Sequence, residues 1–206
     1  MSKKERYGKF KKKDYVRTIE NTVWYLCDKF GYKTKPYLIE TELKDGSLMG
    51  YMYRSKRSVI VYDYKAFKRA FGNYDYDTQE AYASAITAHE TRHYYQYRQM
   101  YSKKPKEKES VLDRWKRDRD NEMCSNALTN GEYCMQPLEL DAFLFEYVFG
   151  AHVFRYVLLK CIFNEEHLDA LENLYMEYYG ETDERLFGEE IHADVREREK
   201  NRAKKE

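Results

Sequence analysis

The sequence predicts an α+β fold, and three observations predict it. Apolar residues recur at helical spacing before residue 31 and again from residue 77 onward, β-prone runs crowd into residues 37–62 between them, and turn or cap residues mark the joins.

From Asp14 to Phe30 the residues Val16, Ile19, Val23, Trp24 and Cys27 keep a helical period, and Gly31 stands where a left-handed cap ends such a helix. Tyr37 to Leu43 and Ser47 to Tyr53 are β-prone runs on either side of Asp45-Gly46, a dipeptide that accepts the positive φ angles of a two-residue hairpin turn. With a third run, Ser58 to Tyr62, they predict a small, mostly antiparallel sheet. Asp77-Thr78-Gln79-Glu80 reads as a capping box with Asp77 as the cap, so a helix is expected to start there. Ala81, Ala85, Ile86 and Ala88 carry it onward, and nothing breaks it before Ser102, with Pro105 beyond as a stop.

Lys103 to Asp120 mixes both charge signs and reads as a solvated loop leading to an exposed helix. Asn130-Gly131 reads as a turn, and Pro137 suits the first position of the next helix. The apolar stretch from Leu138 to Phe163 is interrupted by Asp141, Glu146, His152, Arg155 and Lys160, which predicts a buried or amphipathic helix and no membrane span. Asn164 with Glu165 and Glu166 has the form of a cap and acidic first turn, and that helix is expected to end near Gly180. The chain thus divides into a basic tail over 1–13, one domain over 14–180, and a charged tail over 181–206 expected to be partly disordered.

A chain of 206 residues with 42% hydrophobic and 17% aromatic residues has material for one core, hence the single domain. Its formal net charge of +1 supplies no overall field to draw nucleic acid, although Lys3, Lys4, Arg6, Lys9, Lys11, Lys12 and Lys13 make the start locally basic. No apolar segment follows those charges, so a cytoplasmic protein is expected. Cys27, Cys124, Cys134 and Cys161 form no CxxC pair and are expected to be reduced, without a Cys124 to Cys134 bridge.

Ala88-His89-Glu90-Thr91-Arg92-His93 contains HExxH. Side chains four apart on a helix share a face, so His89 and His93 can meet one ion while Glu90 reaches the water on it; this is the spacing of zinc hydrolases. A catalytic zinc takes three protein ligands, and carboxylates near an apolar helix are the first place to look for the third. In Gln136-Pro137-Leu138-Glu139-Leu140-Asp141-Ala142 the segment Glu139 to Ala142 reads as ExxA at a helix start.

Here the chain resembles the gluzincin metallopeptidases, and within them the branch of the CAAX-processing and repressor-cleaving (ImmA-type) proteases. The resemblance covers Ser58 to about Phe145 and implies a zincin-like domain. It also implies zinc held by His89, His93 and Glu139, Glu90 as general base, and Ser58 to Tyr62 as the sheet-edge strand along which a peptide lies. Phe143 departs from the Asp or Asn that many members carry after ExxA. Asp141 competes with Glu139: two helical positions away, it points to a different side, so only one of the two can be the ligand.

His152, His167 and His192 are expected to be surface or packed residues, and Tyr94, Tyr95, Tyr97 and Tyr101 to pack or line a rim. Tyr133 and Tyr147 lie near Glu139 in sequence without an assigned role. Arg92 is expected to face away from the metal and pair with an acid. The activity expected is zinc-dependent hydrolysis of a protein or peptide substrate. The alternatives are a zinc-binding protein that uses the same ligands for structure or partner binding, and a nucleic-acid-binding protein in which HExxH is accidental.

Overall fold

The structure, a computed structural model, describes residues 9–44, 46–54, 57–120, 130–154, 164–181 and 184–204. The chain forms two compact units that divide between Arg98 and Gln99, where the composition predicts a single domain over 14–180. Mixed α+β architecture is present as expected: a small three-stranded sheet and a larger complement of helices.

In the first unit, α1 spans Lys12–Lys29. It starts inside the expected basic tail, where the Lys11 amide donates to Asp14 Oδ2 at 3.0 Å. Phe10, also in that tail, is buried, its ring 6.1 Å from Phe67. At the other end Gly31 adopts φ +76°, and the Tyr32 amide reaches back to the Cys27 carbonyl at 2.8 Å, closing the helix as the glycine predicts.

The strands are β1 (Tyr37–Glu40), β2 (Met49–Arg54) and β3 (Arg57–Tyr62). Gly46 has the positive φ expected of it, +84°, yet β1 and β2 do not pair across it. The sheet order is β1-β3-β2, with β1 parallel to β3 (Tyr37 opposite Val59) and β2 antiparallel to it (Tyr51 opposite Ile60). Ser58 to Tyr62 therefore forms the central strand, and its expected role as a free sheet edge is corrected. The reason is burial: Ile60, Val61 and Tyr62 are buried, whereas β1 is largely exposed and suits an edge.

Asp63 caps α2 (Tyr64–Phe71), its side chain accepting from the Ala66 amide at 3.0 Å. The 25-residue α3 spans Tyr76–Met100. Its cap is Asp75 and not Asp77: Asp75 Oδ1 accepts from the Thr78 amide at 2.8 Å. The Gln79 side chain also donates back to the Tyr74 carbonyl at 2.6 Å, fixing the entry two residues earlier than the capping-box pattern suggests. The core of this unit joins Tyr15, Ile19, Val23, Ile60, Phe67 and Tyr82. Tyr15 lies 4.4 Å from Phe67 and Phe71 stacks on Tyr82 at 4.1 Å, ring centroid to centroid.

In the second unit, α4 (Glu109–Asp120) has the mixed charges of an exposed helix but buries Val111, Leu112 and Trp115 on one face. Asn130-Gly131 opens a short α5 (Asn130–Cys134) instead of a turn. Pro137 opens α6 (Pro137–Phe154) as expected, and the Leu138 amide is capped by Asp118 Oδ2 at 2.8 Å. The α7 helix (Glu165–Tyr179) has the Asn164 cap and a left-handed Gly180 at φ +80°.

Beyond it the charged tail is helical, forming α8 (Glu184–Phe187) and α9 (Glu189–Ala203). Leu186, Phe187, Ile191 and Val195 of this segment join Leu144, Tyr147, Leu168 and Leu171 in the core, and that burial stabilises a stretch whose composition suggests disorder. Cys27 and Cys134 are free thiols, and burial pushes each up to about 11. Cys124 and Cys161 lie outside the described residues, as does the end of the apolar run past Phe154. Among the described residues no helix is long and apolar enough to cross a membrane.

Candidate metal centre

The middle of α3 carries the histidine pair. Small residues on the helix, Ala81, Ala83, Ala85 and Ala88, are buried, and Thr87 and Thr91 return their hydroxyls to the Ala83 and Thr87 carbonyls at 2.6 and 2.7 Å. Both threonines are thereby satisfied within the helix. One turn of spacing brings His89 and His93 together, with rings at 81° and Nε2 atoms 3.2 Å apart. Both imidazoles are buried, at 7% and 8% exposed, and Glu90 between them is 8% exposed.

The distance is informative. Zinc binds imidazole nitrogen at about 2.0–2.1 Å, so two ligands at a tetrahedral angle stand about 3.3–3.4 Å apart. The His89 and His93 Nε2 atoms, 3.2 Å apart, are spaced close to one edge of that tetrahedron. Neutral imidazole is a donor for zinc, copper, iron or nickel, so the pair suits a first-row metal ion.

Gln96, which the sequence pattern does not single out, sets the orientation of His93. It is fully buried one turn further along α3, and its Oε1 lies 2.8 Å from His93 Nδ1. Facing a carbonyl oxygen, Nδ1 carries the ring proton, which leaves the Nε2 lone pair directed toward His89. The signal was there to read: position 96 follows 93 by three residues and shares its face. From β2, Tyr51 stacks over His93 at 6.3 Å and contacts Tyr97 at 5.3 Å, while its hydroxyl bonds Ser58 at 2.9 Å. The tyrosines of α3 pack as expected, with Tyr94 donating to the Thr34 carbonyl at 2.9 Å and Tyr95 against Phe30 at 4.6 Å. Arg92 lies over the Tyr95 ring at 4.5 Å, a cation–π contact.

In the second unit, Glu139 is half-buried in the first turn of α6, where its charge complements the positive helix end. Asp141 is nearly fully buried and accepts a hydrogen bond from the Tyr178 hydroxyl at 3.1 Å. That contact gives Asp141 a packing role within α6 and α7. Tyr147 is a core residue whose hydroxyl donates to the Leu186 carbonyl, so it is structural. Thus α3 brings His89 and His93 together and carries Glu90 beside them in sequence, and α6 carries Glu139.

No protein-family model, curated protein or solved structure matches the chain.

Proposed function

We propose that the protein is a zinc-dependent metallopeptidase in which His89, His93 and Glu139 hold the ion and Glu90 is the general base. The observation that carries this reading is the pair of buried Nε2 atoms 3.2 Å apart, oriented by Gln96. Glu139 is assigned on the ExxA resemblance, on its place at a helix start, and on the engagement of Asp141 by Tyr178.

When bound, zinc lowers the pKa of its water from about 15.7 to about 7 and polarises a substrate carbonyl. The chain's own groups do the rest. Glu90, next to His89 and shielded from bulk solvent, accepts a proton during attack on the peptide carbonyl and returns it to the departing amine. A purely structural zinc site needs no carboxylate at position 90, so an ionisable group there favours the enzyme over the zinc-binding alternative.

The test pairs metal content with turnover of a fluorogenic peptide library. The parent is expected to bind zinc and to cleave; His89→Ala and Glu139→Ala each lose one zinc equivalent, and Glu90→Gln keeps the parent's zinc content and loses cleavage. A zinc stoichiometry in His89→Ala equal to that of the parent refutes the ligand set, and Glu90→Gln cleaving as fast as the parent refutes the mechanism.

A further inference from the structure

Within the second unit, Glu165, Asp169 and Glu172 follow one another along one face of α7, at spacings of four and three residues. His192 and Arg196 stand four apart on α9. Leu168, Leu171, Ile191 and Val195 pack the two helices together in the core, which fixes the seam. At its edge, His192 Nδ1 lies 2.9 Å from Glu165 Oε1 and 3.8 Å from Asp169 Oδ1. Its Nε2 lies 3.6 Å from Glu172 Oε2, and Arg196 Nη1 bonds Glu165 Oε1 at 2.7 Å.

Acids on a helix face are ordinarily just solvated. His192 is different. It is 8% exposed, its Nε2 is buried without a hydrogen-bond partner, and so is Glu165 Oε2. A neutral imidazole donates from one nitrogen only, yet carboxylates face both nitrogens of this one. Three carboxylates against one guanidinium also leave the seam with an excess of two negative charges when His192 is neutral.

We propose that this seam is a divalent-cation site, separate from the α3 histidines, with Glu165, Asp169 and His192 as ligands. Their donor atoms lie within 4.8 Å of one another. The cation takes the Nδ1 lone pair, and Nε2–H then points to Glu172 in the carboxylate–histidine–metal arrangement that fixes the tautomer. One imidazole with carboxylates suits zinc or a neighbouring first-row ion, not a cation that takes oxygen alone. Glu165 Oε2 is the oxygen available to the ion while Oε1 stays with Arg196.

The experiment is a count of Co²⁺ equivalents bound by the full chain, with circular dichroism as a check on folding. Asp169 has a side chain 63% exposed, so Asp169→Asn leaves the fold intact. It is expected to weaken one equivalent at least tenfold, and His192→Gln to remove the same one. In a His89→Ala/His93→Ala protein that equivalent persists, which separates this site from the α3 pair whichever way the α3 reading falls. The rival is an imidazolium with no metal. Equal Co²⁺ uptake by parent and Asp169→Asn, or His192 ring resonances that move with pH and not with added Zn²⁺, overturns the proposal.

Discussion

Replacing Gln96 with Leu tests whether a buried carboxamide orients His93 for the metal site proposed above. The change nearly conserves volume and helix propensity, and it deletes the oxygen 2.8 Å from His93 Nδ1. Losing the partner of a buried donor costs about 1–3 kcal/mol of stability in the metal-free protein. Outer partners of ligating histidines contribute about 10–100-fold to metal affinity, or about 1.4–2.7 kcal/mol. Gln96→Leu should therefore weaken zinc by that factor, read by competition with a chromophoric chelator. Because protons and metal compete for the same nitrogen, the pH of half-maximal binding should also move upward. Gln96→Glu restores an acceptor and raises the basicity of the ring, so its affinity should equal or exceed that of the parent. Unchanged zinc affinity in Gln96→Leu, with native helicity retained, would refute the orienting role and weaken the metal reading of α3.

Two further outcomes follow from the packing and the caps. The backbone amide of Ala66, joined by that of Leu43 at 3.3 Å, holds the Asp63 carboxyl below the usual carboxylate range. Its folded pKa lies below the unfolded value of about 3.9, so the stabilisation is complete above about pH 4 and lost as pH falls through the folded value. Asp63→Ala should cost about 0.5–2 kcal/mol at pH 7 and progressively less toward pH 2, measured by urea midpoints; a cost independent of pH contradicts the assignment. Trp115, 1% exposed, anchors α4 in the second unit, and Trp115→Ala should destabilise by about 3–5 kcal/mol in urea unfolding followed by circular dichroism. Trp24, the other of the two tryptophans, remains as a fluorescent reporter within the first unit. A loss below about 1 kcal/mol would mean that Trp115 contributes little to the core.

What the sequence determined by itself is what neighbours three or four residues apart decide. The α1 helix and its Gly31 end, the Asn164 and Gly180 limits of α7, Pro137 at the start of α6, and the placing of HExxH on a helix all follow from local hydrogen bonding and apolar spacing. The tertiary structure decided the rest, because competition for burial is not local. It set β3 between β1 and β2, since the strand with the most buried side chains takes two neighbours, while Asp45-Gly46 specifies only a bend and not which strands meet across it. It made α9 a helix, because Ile191 and Val195 find Leu168 and Leu171 on α7. It gave the buried Asp141 a hydrogen bond from a tyrosine 37 residues away. It also turned His93 toward His89, with the buried Gln96 2.8 Å from the other ring nitrogen.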